Sequence, residues 1–265
     1  MSETGPSGQG PPALWSTPGQ ELATGQRQDD TVAEEWPVAL VVNGVSHAVM
    51  MATPADLEDF AFGFALSEGL IRTPTELLDV QVEAQPDGAL LQLRVTAACE
   101  ARLRERRRML SGRTGCGLCG VQSLRQLGFQ QAPRVEGTLP ALAALQAAGH
   151  ALHAAQPMNA HCGGLHAAAW CDLQGGLTLV REDVGRHNAL DKLIGGRWHA
   201  GLSGEPGFAL LTSRASVELV HKCLQAGIGG LATVSAPTAA AVRHAQAHGL
   251  VLLAFVREGR ATRYA

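Results

Sequence analysis

The chain has 265 residues, 46% hydrophobic and 17% charged, with a formal net charge of −3, which fits one large domain or two intimately packed ones and gives no reason to expect nucleic acid or an anionic membrane as partner. No apolar run approaches the roughly 20 residues that span a bilayer, and the opening MSETGPSGQGPP lacks the basic and then apolar regions of a secretory signal, so a cytoplasmic address is expected. The six cysteines are therefore expected to be reduced thiols.

Residues 1–30, rich in Gly, Pro, Ser, Thr and Gln, read as a disordered tail. Residues 31–111 are predicted to form a smaller β-rich domain ending in a basic helix. Val38–Val42, Asn43-Gly44 and His47–Met51 read as strand, tight turn and strand. A helix is expected from Thr53-Pro54, with Thr53 as cap and Pro54 at the first helical position, running through Phe60, Phe64 and Leu66 to stop by Gly69. A second hairpin turns at Pro86-Asp87-Gly88, and Cys99–Ser111 (CEARLRERRRMLS) reads as an arginine-rich helix.

Residues 112–138 are read as a mobile loop and linker carrying Cys116-Gly117-Leu118-Cys119 among closely spaced glycines. From 139 to 265 an α/β domain is expected. Leu139–Ala155 is an Ala/Leu helix, and strands at Leu165–Trp170 and Leu177–Val180 precede a helix at Arg186–Gly195. Strands at Phe208–Thr212, Leu231–Ser235 and Leu250–Val256 then alternate with helices at Ser213–Ala226 and from Pro237 to Gly249. These last strands are continuous apolar runs, the mark of a parallel sheet buried on both faces, so the fold class is α/β, or α+β with a βαβαβ core.

The CxxC admits three chemistries. It is half a zinc site, but no second CxxC exists and only His161-Cys162 could complete it. It is a thioredoxin-like redox pair, a motif that normally joins a strand to a helix. Or it is a mobile thiolate that accepts, holds and delivers sulfur. Arg102, Arg104, Arg106, Arg107, Arg108 and Arg113 would lower the thiol's pKa for that last role, although a solvated helix face salted with Glu100 and Glu105 explains some of them equally well.

Around RTGCGLCG the chain resembles the FdhD family, and further motifs agree in order: GGLHAAAW at Gly163–Trp170, EDVGRHNALDKLIG at Glu182–Gly195, SRASVELVHK at Ser213–Lys222, VSAPT at Val234–Thr238 and FVREGRATRY at Phe255–Tyr264. The resemblance implies an accessory sulfurtransferase. It would accept persulfide sulfur from a cysteine desulfurase, on Cys116 with Cys119 beside it. It would pass that sulfur to the bis-molybdopterin guanine dinucleotide cofactor of formate dehydrogenase. It also implies a homodimer, a cytidine-deaminase-like C-terminal domain, and a guanine-nucleotide site, with guanosine diphosphate as mimic, near Phe255–Arg260. One departure is Cys162, where the family usually has threonine. A zinc nucleobase deaminase needs H-x-E and P-C-x-x-C; neither occurs, since Gly115 precedes Cys116, and no metal ligands are assigned.

Ligands of parallel α/β sheets gather beyond the carboxyl ends of the strands. Ser213-Arg214, Ser235 and the turn Phe255, Val256, Arg257, Glu258, Gly259, Arg260 occupy such ends, two of them leading into helix N-termini. Asp183, Arg186 and His187 join them as candidates to contact or orient the cofactor, Asp183 and His187 falling on one face of a helix start. His166 is expected to be a hydrogen-bonded core residue.

Overall fold

The structure is a computed structural model; it describes residues 10–110, 132–257 and 259–265, with side chains of the basic helix described through Glu105. The chain opens with a hairpin, β1 (Leu14–Gln20) and β2 (Arg27–Ala33), paired antiparallel throughout its length. This corrects the expected disordered tail over its later part. The pairing register runs the full length of both strands, but the hairpin is mostly exposed, so its composition reads as a tail.

β3 (Trp36–Val42), β4 (Val45–Ala52), β5 (Leu77–Gln85) and β6 (Gly88–Val95) form a four-stranded sheet in the order β4-β3-β6-β5. Strict alternation in β3 sends Trp36, Val38, Leu40 and Val42 to one face, where α1 (Leu57–Ser67) lays Phe60 and Phe64 against them. The helix starts later than Thr53 suggests. Asp56 stands at its N-cap with φ of 52°, and Thr53 is fully buried with both backbone and side chain engaged elsewhere. Between α1 and β5 lies a 3-10 turn, Pro74–Glu76. α2 (Ala97–Leu110) is the predicted basic helix. Two of its arginines are already matched, Arg102 with Glu76 at 2.6 Å and Arg104 with Glu100 at 2.5 Å.

The rest of the described chain folds around a six-stranded sheet in the order β12-β11-β10-β9-β7-β8, formed by β7 (His166–Cys171), β8 (Leu177–Asp183), β9 (Phe208–Leu211), β10 (Gly230–Thr233), β11 (Val251–Arg257) and β12 (Arg260–Arg263). β9, β10 and β11 are parallel, joined by α6 (Val217–Gln225) and α7 (Ala239–His248), as the apolar runs predict. β7, β8 and β12 are antiparallel additions at the two sides. α3 (Leu142–Ala154) covers one face through Leu145, Ala148 and Leu152. α5 (Arg186–His199), α6 and α7 cover the other, while α4 (Asn159–Cys162) is a single turn before β7. The end of the segment expected to move is held in place, for Val135 N–H donates to the His248 carbonyl at 2.9 Å.

The two sheets meet through α1 and α5. A Cβ on Gly63 would lie 1.7 Å from the Asp191 carbonyl oxygen, and one on Gly195 would lie 2.0 Å from that of Asp59, so the helices cross with backbones touching. Lys222 seals the junction, pairing with Asp191 at 2.9 Å and Glu68 at 2.7 Å. Among the described residues no helix is long and apolar enough to cross a membrane.

Candidate functional site at the carboxyl edge of the sheet

The three turns that follow β9, β10 and β11 are bonded to one another. Ala215 and Pro237 form a parallel bridge, Thr238 N–H donates to the Ala215 carbonyl at 2.9 Å, and Val234 N–H donates to that of Leu211 at 3.0 Å. Arg257 Nε donates to the Val234 carbonyl at 3.4 Å. Ser213 is buried and its hydroxyl donates to the Arg214 carbonyl at 3.2 Å. It therefore caps no helix, and α6 begins only after Ser216. The cap of α7 is Thr238, whose hydroxyl accepts from Ala241 N–H at 3.2 Å, with Pro237 just outside.

At the third turn the pairing of β11 with β12 shifts register between Ala254 and Arg257. Phe255 there adopts φ of 54° and Gly259 φ of 69°. A bulky residue in the left-handed region costs on the order of 1–3 kcal/mol and persists where its surroundings enforce it. The kink leaves Phe255 half-buried, with the Arg260 guanidinium 4.8 Å from its ring. Glu258 lies outside the described residues.

A cleft of about 640 Å³ opens where this edge meets α3. Thr212, Val234, Val256, Arg257 and Gly259 form its sheet side, and Gln146, Gly149, His150, Leu152, His153 and Gln156 its helix side. No Asp or Glu lines it among the described residues, although the chain carries 24 acids against 21 Lys and Arg. Among those described residues an anionic ligand would meet the Arg257 guanidinium and two imidazoles. The α3 wall was missed in the sequence because an Ala/Leu helix reads as core. The pair His150 and His153, on one face at i and i+3, was the available signal.

The motif residues of α5 lie along the same edge, since β7 pairs His166 with Asp183 and the Thr212 hydroxyl accepts from Ala167 N–H at 3.0 Å. Glu182 and Asp183 point to opposite faces. The Glu182 carboxylate accepts from Met158 and Asn159 N–H at 3.0 and 2.8 Å. Asp183 pairs with Lys192 at 2.6 Å and accepts from the N–H groups of Thr53 and Gly185 and from the Asn188 amide at 3.0, 2.8 and 3.0 Å. Its oxygens are thus occupied by the fold. Arg186 Nε and His187 Nε2, by contrast, are buried atoms with no hydrogen-bond partner. Burial, reinforced by the cations of Arg186 and Lys222, pushes the His187 imidazole below its usual range, leaving it neutral near pH 7. His166 is half-buried at the same edge, and burial followed by Arg186 lowers its pKa.

Cys116 and Cys119 lie outside the described residues. Of the other cysteines, Cys99, Cys171 and Cys223 are buried; burial raises the Cys99 thiol and pushes those of Cys171 and Cys223 up to about 12, so they are unreactive packing residues. Cys162 ends α4, half-buried and free. Among the described residues no group of three His, Cys, Asp or Glu is placed to hold a metal ion.

Residues 33–265 match the model of the FdhD/NarQ family. The chain is 49% identical over 238 residues to a sulfur carrier protein FdhD from Bordetella petrii, 89% of this chain and 85% of that one. It is 50% identical over 236 residues to its counterpart from Cupriavidus necator, covering 89% and 82%. Its fold resembles that of a formate dehydrogenase accessory protein from Desulfotalea psychrophila, with a TM-score of 0.72 over 95% of each chain at 23% identity.

Proposed function

This chain belongs to the FdhD/NarQ family, and from that premise we propose that it is a sulfur carrier serving formate dehydrogenase, a sulfurtransferase that loads the enzyme's molybdenum cofactor. Cys116 is the carrier. Its thiolate attacks the outer sulfur of a cysteine desulfurase's persulfide; the donor S–S bond breaks, the donor cysteine leaves as thiolate, and Cys116 retains the sulfur as a new persulfide. Cys119 follows it three positions along the chain. The acceptor is the bis-molybdopterin guanine dinucleotide cofactor, which when bound supplies the metal that receives the sulfur.

The single observation that supports cofactor binding is the cleft at the carboxyl edge. It has Arg257 at its rim, apolar side chains on its floor and no carboxylate among its described lining residues. Such a donor set suits a guanine nucleotide, whose base needs a flat apolar contact and whose phosphates need cations. Phe255, Val256, Arg257, Gly259 and Arg260 hold this end, with Ser213, Arg214 and Ser235 on the neighbouring turns. Arg186 and His187, each with a buried ring or guanidinium nitrogen that has no hydrogen-bond partner, would help to hold or orient the rest of the cofactor. Asp183 contributes by fixing the start of α5. A sheet with an antiparallel hairpin beside three parallel strands supports a cytidine-deaminase-like assignment for residues 139–265. A homodimer in the cytoplasm completes the reading.

The test is activation of formate dehydrogenase in cells lacking the native carrier. Cys116→Ala should abolish it while the purified variant keeps its fold; full activation by that variant would refute the assignment.

A further inference from the structure

We propose that His150 and His153, on α3, clamp the diphosphate of a guanine nucleotide in the carboxyl-edge cleft, opposite Arg257; this rests on the nucleotide reading given above. Residues three apart on a helix share a face, and both imidazoles line the cleft. α3 runs close to β11 here, for a Cβ added at Gly149 would lie 3.4 Å from a methyl of Val256. The two rings are thereby carried to the strand end that bears Arg257.

The cleft is divided in its chemistry. Leu152 and Val256 are buried and Val234 is half-buried, a floor suited to the faces of a purine. His150, His153 and Arg257 are exposed at the mouth, where a phosphate tail would emerge. The fold makes no use of the two histidines: neither side chain has a hydrogen bond, ion pair or ring contact with any described residue. Imidazole N–H groups add donors to the guanidinium fork, so a diphosphate would be gripped from both walls. The helix thereby becomes a determinant of affinity for the phosphates and not for the base.

The experiment is calorimetry of the full chain with guanosine diphosphate and with guanosine. It compares the wild type, the double variant His150→Gln/His153→Gln, and Arg257→Ala. Both substituted histidines are exposed, so the fold is not at risk. The double variant should bind guanosine diphosphate roughly tenfold or more weakly, by the usual strength of charge-assisted hydrogen bonds, and guanosine as well as the wild type does. If guanosine diphosphate binding survives in the double variant but falls in Arg257→Ala, the histidine clamp is wrong and the cleft stands. If guanosine is lost equally, the histidines contact the base and the clamp is again wrong. If the wild type does not bind guanosine diphosphate, the nucleotide reading falls and the clamp with it.

Discussion

Asp183 and Lys192 form an ion pair of 2.6 Å in which neither side chain is exposed to solvent. Lys192 also donates to the Thr53 carbonyl at 2.9 Å, while Thr53 N–H donates to Asp183 at 3.0 Å. The pair therefore ties the end of β4 to the start of α5. Removing one partner strands the other's charge without water. Asp183→Ala should cost about 3–5 kcal/mol in urea unfolding. Replacing both residues with apolar ones of similar volume should cost clearly less. Equal losses for the single and double variants would show that the charge pairing is not the main term.

Gly63→Ala and Gly195→Ala test the α1–α5 crossing. Alanine normally improves a helix by up to about 1 kcal/mol over glycine. Here the added Cβ would overlap a carbonyl of the opposite helix, and overpacking costs about 1–3 kcal/mol or more, so the net sign is destabilising. Gly204→Ala, in open space, is the control. Thermal unfolding of the three variants decides it, and a stabilised Gly63→Ala would mean that the helices can separate freely.

Acid should weaken the fold through His244. Burial, with His248 and His221 adding to it, lowers its pKa to about 4, against about 6.5 in an unfolded chain. Above pH 6.5 both states leave the imidazole neutral, and its contribution is constant. Between 6.5 and 4 the unfolded state takes up the proton first, so stability falls as pH falls. Denaturant titrations at pH 7.5 and 5 should show a smaller drop for His244→Gln than for the wild type. Identical drops would assign the acid sensitivity to other groups.

Arg186 and His187 carry buried nitrogens that the fold leaves unpartnered. If they await a ligand, apolar replacements should trade function for stability. His187→Leu and Arg186→Met should unfold at the same or a higher temperature while activation of formate dehydrogenase falls. Loss of stability with activation intact would make them structural residues.

Much of this organisation is legible in the chain. The parallel β9–β10–β11 core follows from uninterrupted apolar runs, and the turn at Phe255–Arg260 follows from where such strands must end. Asp183 misled, because spacing along a helix points to His187, whereas its real partners, Thr53 and Lys192, depend on how α1 and α5 cross. The α3 wall stayed hidden for a similar reason: nothing local in HALH reports which strand end the helix will face. The hairpin at 14–33 was lost to its polar composition, which is that of a disordered segment even though its ladder is complete.

Sulfur loading at Cys116 is read most directly by intact mass spectrometry of the full chain after incubation with a cysteine desulfurase and cysteine, with and without subsequent thiol reductant. The wild type should gain the mass of one sulfur atom, lost again on reduction, and Cys116→Ala should gain none. A Cys116→Ala chain that takes up reducible sulfur as fully as the wild type would contradict the assignment of Cys116 as the carrier.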